Sequence, residues 1–197
     1  MLFRSVSKGI RDEDIAMSVA CLQMVESVAS GVAYSRHPFN ILEDDVLISA
    51  VWGLGPYAVD GVITPDSYKV DKNEALSILA TDISHKPVQL VSNPDGGLME
   101  LPVEPELQDS PCLTPEQTRL LAEYVVKLEK HYGCPQDTEW AVDGKGKLLI
   151  LQTRPLRLES PSIQDLCQIV AQLKGYELLL KGRDAYYHGV GSGTVDK

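Results

Sequence analysis

The 197-residue sequence predicts an α+β fold, with a largely antiparallel sheet flanked by helices. Three observations lead there. The apolar runs are short and bounded by glycine and proline, which favours buried strands over helices. Only two segments carry a full amphipathic-helix signature. Strands and helices do not alternate regularly, as a doubly wound parallel sheet would require.

The elements follow in order. Residues 1–13 are charged and poor in core-forming side chains, so they read as a helix tail or loop. AMSVACLQMV, from Ala16 to Val25, reads as a strand; Ser30-Gly31 reads as a break, after which Val32 to Ser35 resumes. VLISAVW, from Val46 to Trp52, is a second strand, stopped by Gly53-Leu54-Gly55-Pro56. Short strands interrupted by turn residues such as 93–97 fill 62–103. A helix then begins at Thr114. A threonine N-cap, Pro115 at the first helical position and Gln117 three residues on form a capping-box signature. Leu120, Leu121, Tyr124, Val125, Leu128 and Tyr132 recur at helical spacing, Gly133 suits the left-handed position past the end, and Pro135 blocks continuation. A second amphipathic helix is predicted from Ser160-Pro161, with Ile163, Leu166, Cys167, Val170 and Leu173 on one side and Gly175 beyond it.

The formal net charge of −10 excludes nucleic acid as the main partner, because a phosphate backbone requires a basic stripe. It leaves room for a nucleotide held with a metal in a locally positive pocket. The four cysteines, Cys21, Cys112, Cys134 and Cys167, form no C-x-x-C pair and read as reduced thiols. The N-terminal segment lacks the apolar core of a signal peptide, and no stretch is apolar for long enough to span a bilayer. A cytoplasmic location without membrane contact is the expectation. Neither G-x-G-x-x-G nor a Walker A sequence is present, so the two common phosphate loops are excluded.

The most informative stretch is QDTEWAVDGKGKLLILQTRP, residues 136–155. Asp137 to Val142 and Lys147 to Thr153 read as strands joined through Asp143-Gly144-Lys145-Gly146. Taking Gly144-Lys145 as the loop pair places position 139 opposite 150 and 137 opposite 152. Asp137, Glu139, Gln152 and Arg154 then share one face, with Glu139 and Gln152 as diagonal neighbours. Carboxylate and amide oxygens suit a Mg²⁺ that takes phosphate oxygens and water as further ligands. An adjacent guanidinium can pair with phosphate. Spacing alone favours a solvated face with an ion pair between Arg154 and Asp137.

The sequence H-Y-G-C-P-Q-D-T-E-W-A (131–141) followed by L-L-I-L-Q-T-R-P (148–155) resembles the end of the ATP-grasp domain of phosphoenolpyruvate synthases and pyruvate phosphate dikinases. M-V-E-S-V-A-S-G-V-A-Y-S-R-H-P (24–38), V-W-G-L-G (51–55) and D-G-V-I-T-P-D-S-Y-K-V (60–70) match the same family in the same order. The resemblance implies an ATP-grasp-like subdomain over 1–158 that binds ATP and Mg²⁺. It makes Glu139 and Gln152 the metal ligands, has Arg154 contact the transferring phosphates as the catalytic group, and places Asp137 in support of the same site. In the family, ATP phosphorylates a histidine on a separate swivelling domain, and the phosphoryl group then converts pyruvate to phosphoenolpyruvate at a distant third domain. Related phosphotransferases with another acceptor, and a non-catalytic nucleotide-binding or scaffold module, are the alternatives.

Two positions depart from the family pattern: Leu22 stands where glutamine is usual, and Pro56 follows W-G-L-G where glutamate is usual. None of His37, His85, His131 and His188 lies in the family's T-x-G-G-x-x-H setting. The partners implied are therefore an N-terminal ATP-grasp lobe and a phosphohistidine domain of a longer parent. Residues 159–182 are expected to be a helical linker and 183–197 the opening of the swivelling domain. The chain by itself is expected to bind Mg·ATP weakly and to turn over nothing. Trp52 and Leu54 are expected to pack on a neighbouring strand, Met24 and Tyr34 to lie in the core, and Thr64-Pro65-Asp66 to serve as a turn or a nucleotide contact.

Overall fold

The computed structural model describes residues 23–40, 43–59, 61–73, 75–157, 176–181 and 184–189, with positions 19 and 21. The predicted helix at 160–173 and the segment 1–13 lie outside the described residues. So do both the departure at Leu22 and most of the predicted strand at 16–25, of which 23–25 carry no strand.

The centre is an open six-stranded sheet, made of β1 (Ser27–Tyr34), β2 (Val46–Trp52), β3 (Asp66–Val70), β4 (Ile78–Asp82), β7 (Gln136–Asp143) and β8 (Leu148–Pro155). Their order across the sheet is β4-β3-β2-β1-β7-β8. A separate hairpin pairs β5 (Val88–Ser92) with β6 (Leu98–Pro102), and another pairs β9 (Tyr176–Lys181) with β10 (Asp184–Gly189). Every pairing among the described strands is antiparallel; an isolated parallel bridge joins Gly53 to Leu90. Strand β9 occupies residues read as the end of a helical linker. The described helices are α1 (Pro56–Val59), α2 (Pro105–Gln108) and α3 (Pro115–Tyr132), the first two being single turns that the sequence reading omitted. None of them is long and apolar enough to cross a membrane.

Helix α3 forms for the local reasons read in the sequence. The Thr114 hydroxyl accepts from the Gln117 amide at 3.2 Å, the Gln117 side chain accepts from the Thr114 amide at 3.0 Å, and Gly133 takes a left-handed φ of 68°. Its buried stripe is rotated from the expected one: Thr118, Leu121, Ala122 and Val125 face the sheet, while Leu120 is 37% and Tyr132 55% exposed. Thr118 can be buried because its hydroxyl donates to the Thr114 carbonyl at 2.9 Å. The helix covers one face of the sheet, where Ile48, Ala50, Tyr68, Val70, Trp140 and Val142 form the core with Leu121 and Val125.

Strand β1 passes through Ser30-Gly31 without the expected break. A Cβ on Gly31 would come within 1.9 Å of the Ser49 carbonyl oxygen. The glycine therefore permits close approach of β1 and β2 rather than ending a strand.

Asp66 is fully buried and contacts no open surface. It pairs with Lys86, also fully buried, at 2.5 Å, and accepts from the amides of Ser84 at 3.0 Å and Cys112 at 2.9 Å. Lys86 also donates to the Ser84 carbonyl at 2.6 Å. This network ties the start of β3 to the segments before β5 and before α3, so Asp66 is a structural anchor rather than a nucleotide contact.

Candidate functional site

The sheet face opposite α3 carries the candidate residues, and strand pairing fixes which of them meet. Tyr34 on β1 stands opposite Asp137 on β7, which stands opposite Arg154 on β8. One row along, Val32 faces Glu139, which faces Gln152. Directly opposed residues of antiparallel strands project to the same side, so all four predicted residues share one face.

The register differs from the expected one in two ways. The loop holds three residues, Gly144 to Gly146, rather than two: the Asp143 amide donates to the Lys147 carbonyl at 3.0 Å, and Gly146 adopts a φ of 78°. This is a turn followed by a glycine bulge. The Asp143 carboxylate stabilises it by accepting from the amides of Lys145 and Lys147, both at 2.9 Å, which holds the carboxyl below its ordinary range. A second irregularity lies between Glu139 and Trp140, where Leu151 is the extra residue on β8. Together they place Gln152 directly opposite Glu139 instead of on the diagonal. Bulges of this kind re-aim side chains beside functional sites.

Leu151 thereby faces a cleft of about 500 Å³. Met24, Val25, Leu54, Pro56 and Leu98 supply most of its apolar wall, and Ser27, Ser30, Gln23 and Glu139 its polar groups. Its size and apolar wall suit a flat heterocyclic ligand. The glycine-rich turn builds one side. Ser30 and Ser27 donate to the Gly53 carbonyl at 2.6 and 3.0 Å, and the Gly53 amide donates to Val28 at 2.8 Å. Gly53 has a φ of 73°, and a Cβ there would meet the Leu90 carbonyl oxygen at 2.3 Å. Its freedom thus serves the seam with β5. Gly55 borders the cleft, and a Cβ there would find only Ser30 Oγ, at 3.6 Å. Tyr57 on α1 donates to Glu100 on β6 at 2.6 Å, tying the β5–β6 hairpin to this side.

Beyond the Glu139–Gln152 row lies a polar hollow of about 450 Å³, lined by Tyr34, Pro38, Asp137, Arg154, Pro155, Leu156 and Arg157. Arg154 Nε donates to Asp137 Oδ2 at 2.8 Å, and that hydrogen bond, reinforced by the carboxylate's charge, raises the guanidinium pKa further. The Arg154 side chain stays 61% exposed. The ion pair that a purely structural hairpin would carry is therefore present. Asp137 Oδ1, however, is buried without a hydrogen-bond partner. A buried carboxylate oxygen in that state is expensive unless another donor or a cation meets it. Glu139 and Gln152 make no side-chain hydrogen bond with a described residue.

These features fit a Mg²⁺ held by few protein oxygens. Among the described residues no group of three or more His, Cys, Asp or Glu could enclose a metal by itself. A divalent ion at Glu139 and Gln152 would complete its shell with phosphate and water, the usual habit of Mg²⁺.

Other residues stand apart from their expected places. Met24 is 55% exposed and lines the cleft, and Tyr34 is half-buried at the polar hollow; neither belongs to the core. Met24 was missed because the apolar run around it reads as a strand although 23–25 form none, and Tyr34 because a strand residue carries no sign of which face it occupies. Leu98 and Leu151 were missed because a separate hairpin and a bulge bring them to the cleft. Trp52 packs against the core, and its indole donates to the Leu107 carbonyl at 2.9 Å. His37 accepts from the amides of Phe39 and Asn40 at 3.2 and 2.9 Å, capping a turn. Burial pushes the Cys112 thiol far up, so it is an inert core group.

Residues 2–168 match the family described as pyruvate phosphate dikinase, AMP/ATP-binding domain. The chain is 34% identical over 201 residues to a probable phosphoenolpyruvate synthase of Pyrococcus horikoshii, an alignment spanning 98% of this chain and 24% of that protein. A probable phosphoenolpyruvate synthase of Archaeoglobus fulgidus is 34% identical over 98% of this chain and 25% of its own length. The phosphoenolpyruvate synthase of Pyrococcus furiosus is 34% identical, with coverage of 98% and 24%. The chain spans about a quarter of the length of these curated relatives.

Proposed function

The chain belongs to the family of the pyruvate phosphate dikinase AMP/ATP-binding domain, and from that premise we propose that its open sheet face supplies part of the Mg·ATP site of a phosphoenolpyruvate synthase-like dikinase. The base occupies the apolar cleft, and the phosphates extend along β7 towards the polar hollow. Glu139 and Gln152 offer the metal two oxygens, and Arg154 pairs with the phosphates. Asp137 orients Arg154 through Oδ2 and keeps Oδ1 for a donor or a hydrated cation. Bound ATP with Mg²⁺ supplies a transferable phosphoryl group whose negative charge is shared with the metal.

What these residues contribute is position and charge. Arg154 balances negative charge on the phosphates, a term that grows as the cleft excludes water. The apolar wall holds the nucleotide so that its phosphates lie beside Arg154 and the metal ligands rather than in bulk solvent. In a longer parent protein that phosphoryl group would pass to a histidine on a swivelling domain, with the remaining nucleotide as leaving group, and then to the enolate oxygen of pyruvate at a third domain, giving phosphoenolpyruvate. The relatives' names, which give phosphoenolpyruvate as the product, support that end point.

The observation that carries the reading is the direct opposition of Glu139 and Gln152, created by a bulge, beside an apolar cleft. It is tested by thermal unfolding with ATP, with and without Mg²⁺, on the protein containing this chain. The wild type gains a Mg²⁺-dependent rise in midpoint, and Glu139→Ala and Gln152→Ala lose that increment while keeping any metal-independent part. An equal Mg²⁺-dependent rise in Glu139→Ala defeats the assignment.

A further inference from the structure

Two side chains at the polar hollow are left without a role by the nucleotide reading. Tyr34 stands opposite Asp137 and borders the hollow, yet its hydroxyl makes no hydrogen bond with a described residue. Burial first, and the Asp137 charge second, hold it protonated against the smaller opposing effect of Arg154, so at neutral pH it is a hydrogen-bond donor. Arg157 borders the same hollow, three residues beyond Arg154. The Arg154 charge is engaged by Asp137, whereas Arg157 makes no ion pair with a described residue.

On a chain of net charge −10, a guanidinium on a concave wall that no described carboxylate pairs with is a local attractor for anions. The other donor-bearing side chains lining that space are a second guanidinium and a phenol, a set matched to tetrahedral phosphate oxygens. The one carboxylate lining the hollow, Asp137, already spends one oxygen on Arg154. We propose that Tyr34 and Arg157 act with Arg154 as a phosphate-holding subsite, in which both guanidiniums pair with a polyphosphate tail and the Tyr34 hydroxyl donates to a further oxygen. Assigning that tail to the terminal phosphates of a nucleotide rests on the nucleotide reading above; the donor set itself does not, and an inorganic polyphosphate presents the same chemistry.

The test separates the two. Inorganic tripolyphosphate, AMP and ATP are titrated into the protein while the arginine Nε–H signals are followed by NMR, in the wild type, Arg157→Gln and Tyr34→Phe, each checked for an unchanged unfolding midpoint. Tripolyphosphate and ATP should shift the Arg154 and Arg157 signals. Arg157→Gln should weaken both ligands by about tenfold and Tyr34→Phe by about fivefold, with AMP affinity unchanged. Tripolyphosphate affinity that is absent, or the same in all three proteins, overturns the subsite even if AMP and ATP bind the cleft. If tripolyphosphate binding falls in the variants but AMP fails to bind and ATP binds no tighter than tripolyphosphate, the subsite stands and the nucleotide reading falls.

Discussion

Asp66 and Asp137 show how differently two buried aspartates can be employed. Asp66 has both oxygens satisfied, by Lys86 and by the amides of Ser84 and Cys112. Asp137 keeps one oxygen without a partner beside an exposed arginine. The first arrangement holds segments together, and the second leaves an acceptor unsatisfied at the edge of the hollow. Removing the Lys86 charge should leave Asp66 buried and uncompensated. Lys86→Met is expected to lower unfolding stability by about 3–5 kcal/mol in denaturant titration, because a lone buried charge costs more than a pair; a loss under about 1 kcal/mol would show that the pair is dispensable. The sequence could not distinguish the two aspartates. Lys86 lies 20 residues from Asp66, and nothing local signals their meeting. By contrast, Asp137, Glu139, Gln152 and Arg154 lie on two strands joined by a short loop; alternation groups 137 with 139 and 152 with 154, and the loop and the bulge shift the pairing by one residue each, so the two pairs still share a face.

At the scale of elements, local chemistry was legible and register was not. Helix α3 starts and stops where its cap residues say, because Thr114, Gln117 and Gly133 act within a turn of themselves. The β7–β8 hairpin was recognisable, but its three-residue loop and the bulge at Leu151 each shift the pairing. Loop length and bulges are settled by how β7 and β8 meet the rest of the sheet, so a turn signal alone leaves them open. The β5–β6 hairpin depends on Gly53, whose carbonyl receives two serine hydroxyls and whose neighbour Leu54 donates to Leu90 at 2.8 Å. Gly53→Ala forces a side chain into a left-handed conformation and against the Leu90 carbonyl. It should destabilise the protein by about 1–3 kcal/mol. Amide hydrogen exchange should rise over 88–102 while α3 remains protected; uniform exchange across the chain would place the glycine's importance elsewhere.

For the whole molecule, the fold class followed from composition and pattern: short apolar runs became antiparallel strands, and the capped helix covers one sheet face. The two faces then divide the work, one packing α3 and the other carrying the cleft and the hollow. That division could not be read from the order of strands along the chain, because β7 returns to pair with β1 after five intervening strands and three described helices. An acidic chain of this kind also depends on its carboxylates remaining ionised. The hydrogen bond from Lys69 holds Glu43 below the usual glutamate range, and backbone amides do the same for Asp143. Their contributions are present above about pH 4 and disappear as pH falls through the lowered values. Unfolding midpoints should therefore drop on acidification below that point, and Glu43→Gln should lose stability at neutral pH while showing a shallower acid drop; an unaltered acid profile would remove Glu43 from that account. The most direct test of the central claim is a map of amide chemical shifts on adding ATP with Mg²⁺ to the protein containing this chain. Shifts concentrated at Gly55, Leu98, Glu139, Leu151, Gln152 and Arg154, with those at Glu139 and Gln152 requiring the metal, are the predicted result. Shifts confined to the α3 side of the sheet, or none under saturating nucleotide, would contradict it.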